Sequence, residues 1–465
     1  MTFLNCLNRL ISCRNSNPWR FSSTRAPHIA VSLTSEFPVN HRHSSTLNGL
    51  SRILSPSYWL PMYNFRQMQD YSAECSTRKK FDDIRRTELL WAKPTIPGGT
   101  APVTVLNHNV LAQDLIELHP HLYRHHNPQD LVWEKRQELL FDEFLSSNAD
   151  IIALQEVQQD HIEPFYKRLE DHGYSGAFKK RTSSDKTDGC ALYYKREVFH
   201  LIELEEVEYY QPGIQVLNRP NVAIIAKLRH KLNNKVLVIA NTHLLYNPKR
   251  WNIRLAQIQI LLAEIKRIVG ASKSPAILLV GDLNSDPRSP IIRLLEKGYY
   301  EAEEPVLPDY LGILPNCTHK SKSKLYNSKL VISLFNDDEE GKESCDKNEI
   351  PSDAKADTSK QGESSCKKNH ESVQRDSFLK TPESHLLSHN FNFTSTYNFY
   401  DENYRSEATT YQDRWINVDY MFYSNMILIS RQRLPTVDEC VNHIGYIPNT
   451  FAPSDHLPLL ATYGL

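Results

Sequence analysis

The chain has 465 residues, with 54 Lys and Arg against 55 Asp and Glu, a formal net charge of −1 and a hydrophobic fraction of 40%. That length suits two or three average domains, or one large layered domain with appendages, and the balanced charge excludes a global basic field for nucleic acid, leaving only local grooves. Eight cysteines without a C-x-x-C pair argue against a zinc site and a secreted disulfide framework. No apolar run approaches the roughly 20 residues that span a bilayer, so the chain reads as soluble, with no membrane partner.

Residues 1–69 contain one acid, Glu36, against seven arginines. An acid-poor start rich in Arg and Ser fits a mitochondrial transit peptide. It also fits a basic, largely disordered extension of a cytoplasmic or nuclear protein, and both readings stay open. Residues 1–93 are therefore set apart, and the fold is expected to begin after Lys93-Pro94. Val103–Leu106 predicts a strand leading into Asn107-His108-Asn109. Asn127-Pro128 predicts a capped helix start, running through Glu134, Leu140 and Phe144. Asp150–Leu154 predicts a short buried strand ending at Gln155-Glu156, and Val236–Ala240 another ending at Asn241-Thr242-His243. Leu255, Ile258, Leu262 and Ile265 predict a helix over Ile253–Ile268. The apolar run Ala276–Leu279 then leads into Val280-Gly281-Asp282-Leu283-Asn284. Residues 336–383 are dense in Ser, Lys, Asp and Asn and cannot bury enough apolar surface to offset ordering, so they read as a disordered insert. Val418, Tyr420 and Phe422, interleaved with Asp419 and Met421, predict a last strand before Ser454-Asp455-His456. Alternating strands and helices argue a layered α/β domain over about 101–300 and 386–465. Where strands share a sheet, their polar ends could line one crevice.

Those ends carry a coherent chemistry. Glu156 alone reads as a strand-end carboxylate facing water. With Asn109 and Asp455 it becomes a hard-oxygen metal site of the kind magnesium prefers, with Mn2+ as the alternative. Asp282 and Asn284 alternate onto one side of an extended segment, where the carboxylate could hold a water and the amide touch a phosphate. The same Gly-Asp-x-Asn stretch also reads as an ordinary Asx turn. Asp419 could orient His456 and keep it protonated beside a phosphate, or the two could form a structural pair. His243 could give a second donor to phosphoryl oxygens. A metal, a positioned water and two imidazoles suffice for in-line displacement at phosphorus.

Asn109-Val110-Leu111, Leu154-Gln155-Glu156-Val157, Asn241-Thr242-His243-Leu244, Gly281-Asp282-Leu283-Asn284, Val418-Asp419-Tyr420 and Ser454-Asp455-His456 resemble, in this order, the motifs of the endonuclease/exonuclease/phosphatase superfamily. The resemblance implies a DNase I-like four-layer α/β sandwich, two mixed β-sheets flanked by helices. It implies Asn109 and Glu156 on the metal side, Asp282 positioning the nucleophile, Asn284 and His243 on phosphate, and Asp419 orienting His456. Asp455 matches a position beside both metal and histidine.

Within the superfamily the chain is similar to the Ccr4/nocturnin branch, and there to Angel-type proteins, through Asn109–Leu115, His121-Leu122-Tyr123-Arg124-His125, Asp188–Ala191, Asn241–Pro248 and Ser454–Leu460. That implies a phosphoesterase acting on single-stranded RNA 3′ ends, either hydrolysing terminal 2′,3′-cyclic phosphates or acting as a 3′–5′ exoribonuclease or deadenylase. A catalytically silent RNA-binding adaptor and a lipid or inositol phosphatase are the remaining alternatives. Poly(A) nucleases of the branch sandwich an adenine between a proline and an aromatic. Here Pro248 is present, but Arg414 stands at the aromatic position, with Trp415 one residue on. Arg219 and Asn221 join Pro248 and Trp415 as expected substrate contacts, beside Lys249, Arg250 and Trp251, although the same residues also read as ordinary solvated surface.

Overall fold

The computed structural model describes residues 76–90, 98–301 apart from 213 and 273, and 386–465. The chain divides into two compact units, 1–80 and 81–465, and the second carries all the strands among the described residues. The basic stretch 1–69 and the polar tract 336–383 lie outside the described residues.

Two mixed sheets form the middle of the domain. One runs in the order β1 (Thr87–Leu89), β16 (Ile427–Gln432), β17 (Leu459–Gly464), β2 (Pro102–Asn109), β3 (Ile151–Gln158), β5 (Asp188–Lys195) and β4 (Tyr174–Lys180). The other runs β12 (Thr394–Ser395), β15 (Asp419–Ser424), β9 (Ala276–Asp282), β8 (Val236–His243), β7 (Val222–His230) and β6 (Phe199–Glu208). Two short antiparallel pairs accompany them, β10 (Tyr299–Glu301) with β11 (Leu386–Ser388), and β13 (Thr410–Gln412) with β14 (Arg414–Ile416).

Three long helices matter for the layering: α1 (Trp133–Ser147), α2 (Trp251–Val269) and α3 (Pro290–Lys297). Each sheet holds one parallel pair, β2 with β3 and β8 with β9. Parallel neighbours need a crossover, and α1 and α2 lie within those connections. Period-two alternation assigns the faces of the first sheet. Ile151 and Ala153 of β3 enter the main core with Ile224, Ile239 and Ile258. Ile152 and Leu154 turn the other way, onto Leu140 and Phe144 of α1. The order is helix, sheet, sheet, helix, as the sequence implies. Among the described residues no helix is long and apolar enough to cross a membrane.

Three boundaries differ from the sequence reading. Asn127 caps only a 3-10 turn, Pro128–Asp130, and α1 starts at Trp133 after an extended Val132. The buried Asp130 carboxylate ties to Lys135 at 2.5 Å across that break. The folded unit also begins earlier than Lys93-Pro94. Thr87–Leu89 pairs with Gln432–Ser430 at the sheet edge, and buried Arg85 donates to Gln432 and to the Pro458 carbonyl. Finally, the polar clusters close the strands rather than follow them: Asn109, His243 and Asp282 are the last residues of β2, β8 and β9.

Candidate active site

Strand register builds half of the site. His243 on β8 lies opposite Asp282 on β9, and Asp282 lies opposite Asp419 on β15, so the three form one row across three strands. The approach of β8 and β9 requires glycine before Asp282. Gly281 has φ +144°, and a Cβ there would stand 1.9 Å from the Thr242 carbonyl oxygen. Asn284 sits in the left-handed region at φ 48°, where its N–H donates to Asp282 Oδ1 at 2.8 Å. Turn and site are thus the same object.

The first sheet supplies the other half. Pairing of β3 with β5 slips between Leu154 and Val157, and Glu156 in that bulge has φ 55°, a strained backbone of the kind found at functional sites. Asn109 Nδ2 donates to Glu156 Oε1 and to Asp282 Oδ2, both at 3.0 Å, and bridges the two sheets. Ala112 N donates to Glu156 Oε2 at 3.2 Å. Asn109 thus meets Glu156 through its N–H, while its oxygen accepts from Leu111 N at 3.1 Å.

His456 Nδ1 donates to Asp419 Oδ2 at 2.9 Å, and its Nε2 lies 3.8 Å from Asp282 Oδ2. Burial lowers the imidazole pKa, but the charge and hydrogen bond of Asp419, with Asp455 and Asp282, outweigh it and raise the value well above 6.5. The pairing is mutual compensation, since Asp419 Oδ1 is buried without a hydrogen-bond partner among the described residues. His243 goes the other way, lowered chiefly by burial. Asn284 Nδ2 lies 3.0 Å from His243 Nε2 and also donates to the Leu244 carbonyl. As placed, His243 Nε2 accepts a hydrogen bond, where the sequence reading expects a donor to phosphate.

Burial pushes the Asp282 carboxyl up to about 6, with Asp419 adding and both histidines opposing. It pushes Glu156 up to about 7, with Asp455 and Asp188 adding. Asp282, Asp419 and His456 form one group close enough to hold a metal ion. In that group Asp419 Oδ2 and His456 Nδ1 are already bonded to each other. Glu156 is half-buried at the cleft beside the Asp455 charge, and an oxygen-rich, electronegative setting of this kind fits a hard divalent cation.

A cleft of about 360 Å³ opens over Glu156, Asp282, Asn284, His243 and Asp455, with Tyr123, Tyr246, Tyr411, Arg181 and Lys186 in its walls. Of the expected substrate contacts, Asn221 lines it, holding the His243 carbonyl at 3.1 Å and accepting from Gln257. Arg219, Pro248 and Trp415 are not among its lining residues. Arg219 donates to the Asn218 carbonyl, the Pro248 carbonyl accepts from Arg254, and Trp415 is 6% exposed, packed with Cys440, Ile444 and Phe451. The aromatic that reaches the cleft from this hairpin is Tyr411, whose ring packs on Trp415 at 5.5 Å. Tyr411, Arg181 and Lys186 escape sequence reasoning because they lie on a three-residue strand and on the connection after β4, with no apolar run to announce them; Tyr123 enters it only within the His121–His125 resemblance. Arg136 escapes it too. It sits fully buried inside α1 and donates to the Val110, Leu111 and Pro453 carbonyls, tying the turn after Asn109 to the one before Ser454.

Two sheets meeting at a carboxylate, amide and imidazole cluster define a phosphoester hydrolase. Residues 106–456 match the Endonuclease/Exonuclease/phosphatase family, and the chain belongs to it. It is similar to protein angel homolog 2 of Danio rerio, 30% identical over 96% of this chain and 79% of that protein. It is 32% identical to protein angel homolog 2 of Homo sapiens, over 78% of this chain and 69% of that protein. Among solved structures it is similar to the crystal structure of ANGEL2, a 2′,3′-cyclic phosphatase, in complex with adenosine-2′,3′-vanadate. That likeness has a TM-score of 0.62 and 30% identity, over 82% of this chain and 98% of that one.

Proposed function

We propose that the protein hydrolyses terminal 2′,3′-cyclic phosphates on single-stranded RNA 3′ ends, with Mg2+ as its metal. The observation that carries this reading is Asp282 Oδ2 facing Asn109, His243 and His456, beside a cleft that Asp282 lines together with Tyr246, Tyr411, Arg181 and Lys186. The 30% identity to a 2′,3′-cyclic phosphatase supports the choice of ester.

In this reading Asp282 holds the attacking water and accepts its proton, a role suited to a carboxyl raised to about 6. Water adds to phosphorus as one ribose P–O bond breaks; the released ribose oxygen takes a proton from solvent, and Asp282 returns the proton it accepted to solvent. His456, fixed by Asp419, keeps positive charge beside the phosphoryl oxygens as negative charge develops there. Bound Mg2+, held by Glu156 with Asp455, would neutralise phosphoryl charge. Asn221 and Asn284 hold the end of β8 in place from either side. Tyr246 and Tyr411 offer faces for unstacked bases, and Arg181 and Lys186 offer charge to the backbone.

The test offers one RNA ending in a 2′,3′-cyclic phosphate and one ending in an A-tail. Loss of the cyclic phosphate without shortening is expected. Shortening of the tail with the cyclic end untouched would replace this reading with an exoribonuclease.

A further inference from the structure

We propose that Tyr123 is a positioning residue of the active site, its hydroxyl fixing which oxygen of Asp455 faces His456. The Tyr123 hydroxyl donates to Asp455 Oδ2 at 2.9 Å. The other oxygen, Oδ1, lies 3.9 Å from His456 Nε2. Ser454 Oγ is 3.5 Å from the same Oδ1, yet its single proton goes to the Asn109 carbonyl at 2.7 Å. The serine therefore cannot also restrain the carboxylate, and the phenol does.

The backbone of Asp455 is held separately. Its carbonyl accepts from Thr410 Oγ1 at 2.7 Å and from Tyr411 N at 3.0 Å. That leaves the side-chain torsion as the remaining freedom, and Tyr123 removes it. The tyrosine is itself fixed. Its ring is buried with Leu111 and Ile116 and lies 5.3 Å from His126, which bonds the Ile447 carbonyl at 2.9 Å. A phenol suits the task because it gives one proton without adding charge beside Glu156. This assigns a purpose to the His121–His125 segment, which none of the strand-end clusters uses. A hydroxyl donor to a buried carboxylate also orients it for whatever that carboxylate binds.

The inference rests on the family chemistry and on Asp455 belonging to the proposed site. The experiment uses the full chain and Tyr123→Phe, which removes the hydroxyl and keeps the ring. Turnover is measured on RNA ending in a 2′,3′-cyclic phosphate and on bis(p-nitrophenyl) phosphate, a generic phosphodiester. The expected result is kcat lower by about 10–100-fold with KM within about twofold, while the melting temperature moves by no more than about 2 °C. In an Asp455→Asn background the same change should cost little more, because the two residues act as one unit. Unchanged kcat, a loss that tracks a lowered melting temperature, or full additivity with Asp455→Asn would overturn the proposal. A wild-type protein that cleaves the generic ester but not the cyclic RNA would overturn the substrate reading alone and leave Tyr123 testable.

Discussion

Asp282 shares its two oxygens among four neighbours: Oδ1 takes the Asn284 N–H, and Oδ2 faces Asn109 at 3.0 Å, His243 at 3.5 Å and His456 at 3.8 Å. Asp282→Ala should remove turnover by a factor on the order of 10²–10⁴ while leaving the fold intact, checked by single-turnover assay beside circular dichroism. Full turnover would remove Asp282 from the mechanism. Asp419→Asn addresses the proton on His456. The raised imidazole pKa means that the stabilisation from its pairing is fully present below the unfolded value near 6.5 and is lost as pH rises through the folded value. Without the Asp419 charge, the alkaline limb of kcat against pH should move to lower pH, and an unmoved limb would count against the pairing. The Glu156 pKa is raised as well, but because burial disfavours its charged form. Its folded pKa of about 7 lies above the ordinary 4.5, so metal-free stability falls as pH rises between those values. A divalent cation can relieve that cost only once the carboxyl is ionised. Mg2+ should therefore raise the melting temperature more at about pH 8 than at about pH 5.5, read by calorimetry. Equal shifts would take Glu156 out of the metal site.

Elements carry the next level of constraint. Gly281 allows β8 and β9 to approach beside the His243–Asp282 pair, and its φ of +144° strains any side chain. At the far edge β1 is only three residues long, yet just before it Arg85 reaches the Pro458 carbonyl, two residues past His456. A chain starting at residue 94 loses these bonds and should lose roughly 2–4 kcal/mol in urea unfolding. The sequence-based boundary at Lys93-Pro94 misses this because a three-residue edge strand has too little pattern to be seen. The long strands were legible, since β9 reads as one continuous buried run.

For the whole molecule, β10 and β11 pair antiparallel, which sets Glu301 against Leu386, the described residues on either side of 302–385. Replacing that segment with a short Gly/Ser linker should leave melting and turnover nearly unchanged, because closing a longer loop costs little extra. A collapse of either would tie the segment to the folded unit. The amino-acid sequence determined the alternation of elements and the residue types at strand ends, because buried strands must be apolar and phosphoester chemistry needs carboxylates, amides and imidazoles. It brought Asp419 to His456 and Asn109 to Glu156 as expectations, without saying which atoms meet. Only the tertiary structure decided that Asn109 bridges Glu156 and Asp282 across the two sheets, that His243 accepts from Asn284, and that Tyr411 enters the cleft while Trp415 packs behind it. Those relations depend on register, on a bulge at Glu156 and on short connecting turns, which are set by packing between segments far apart in the chain.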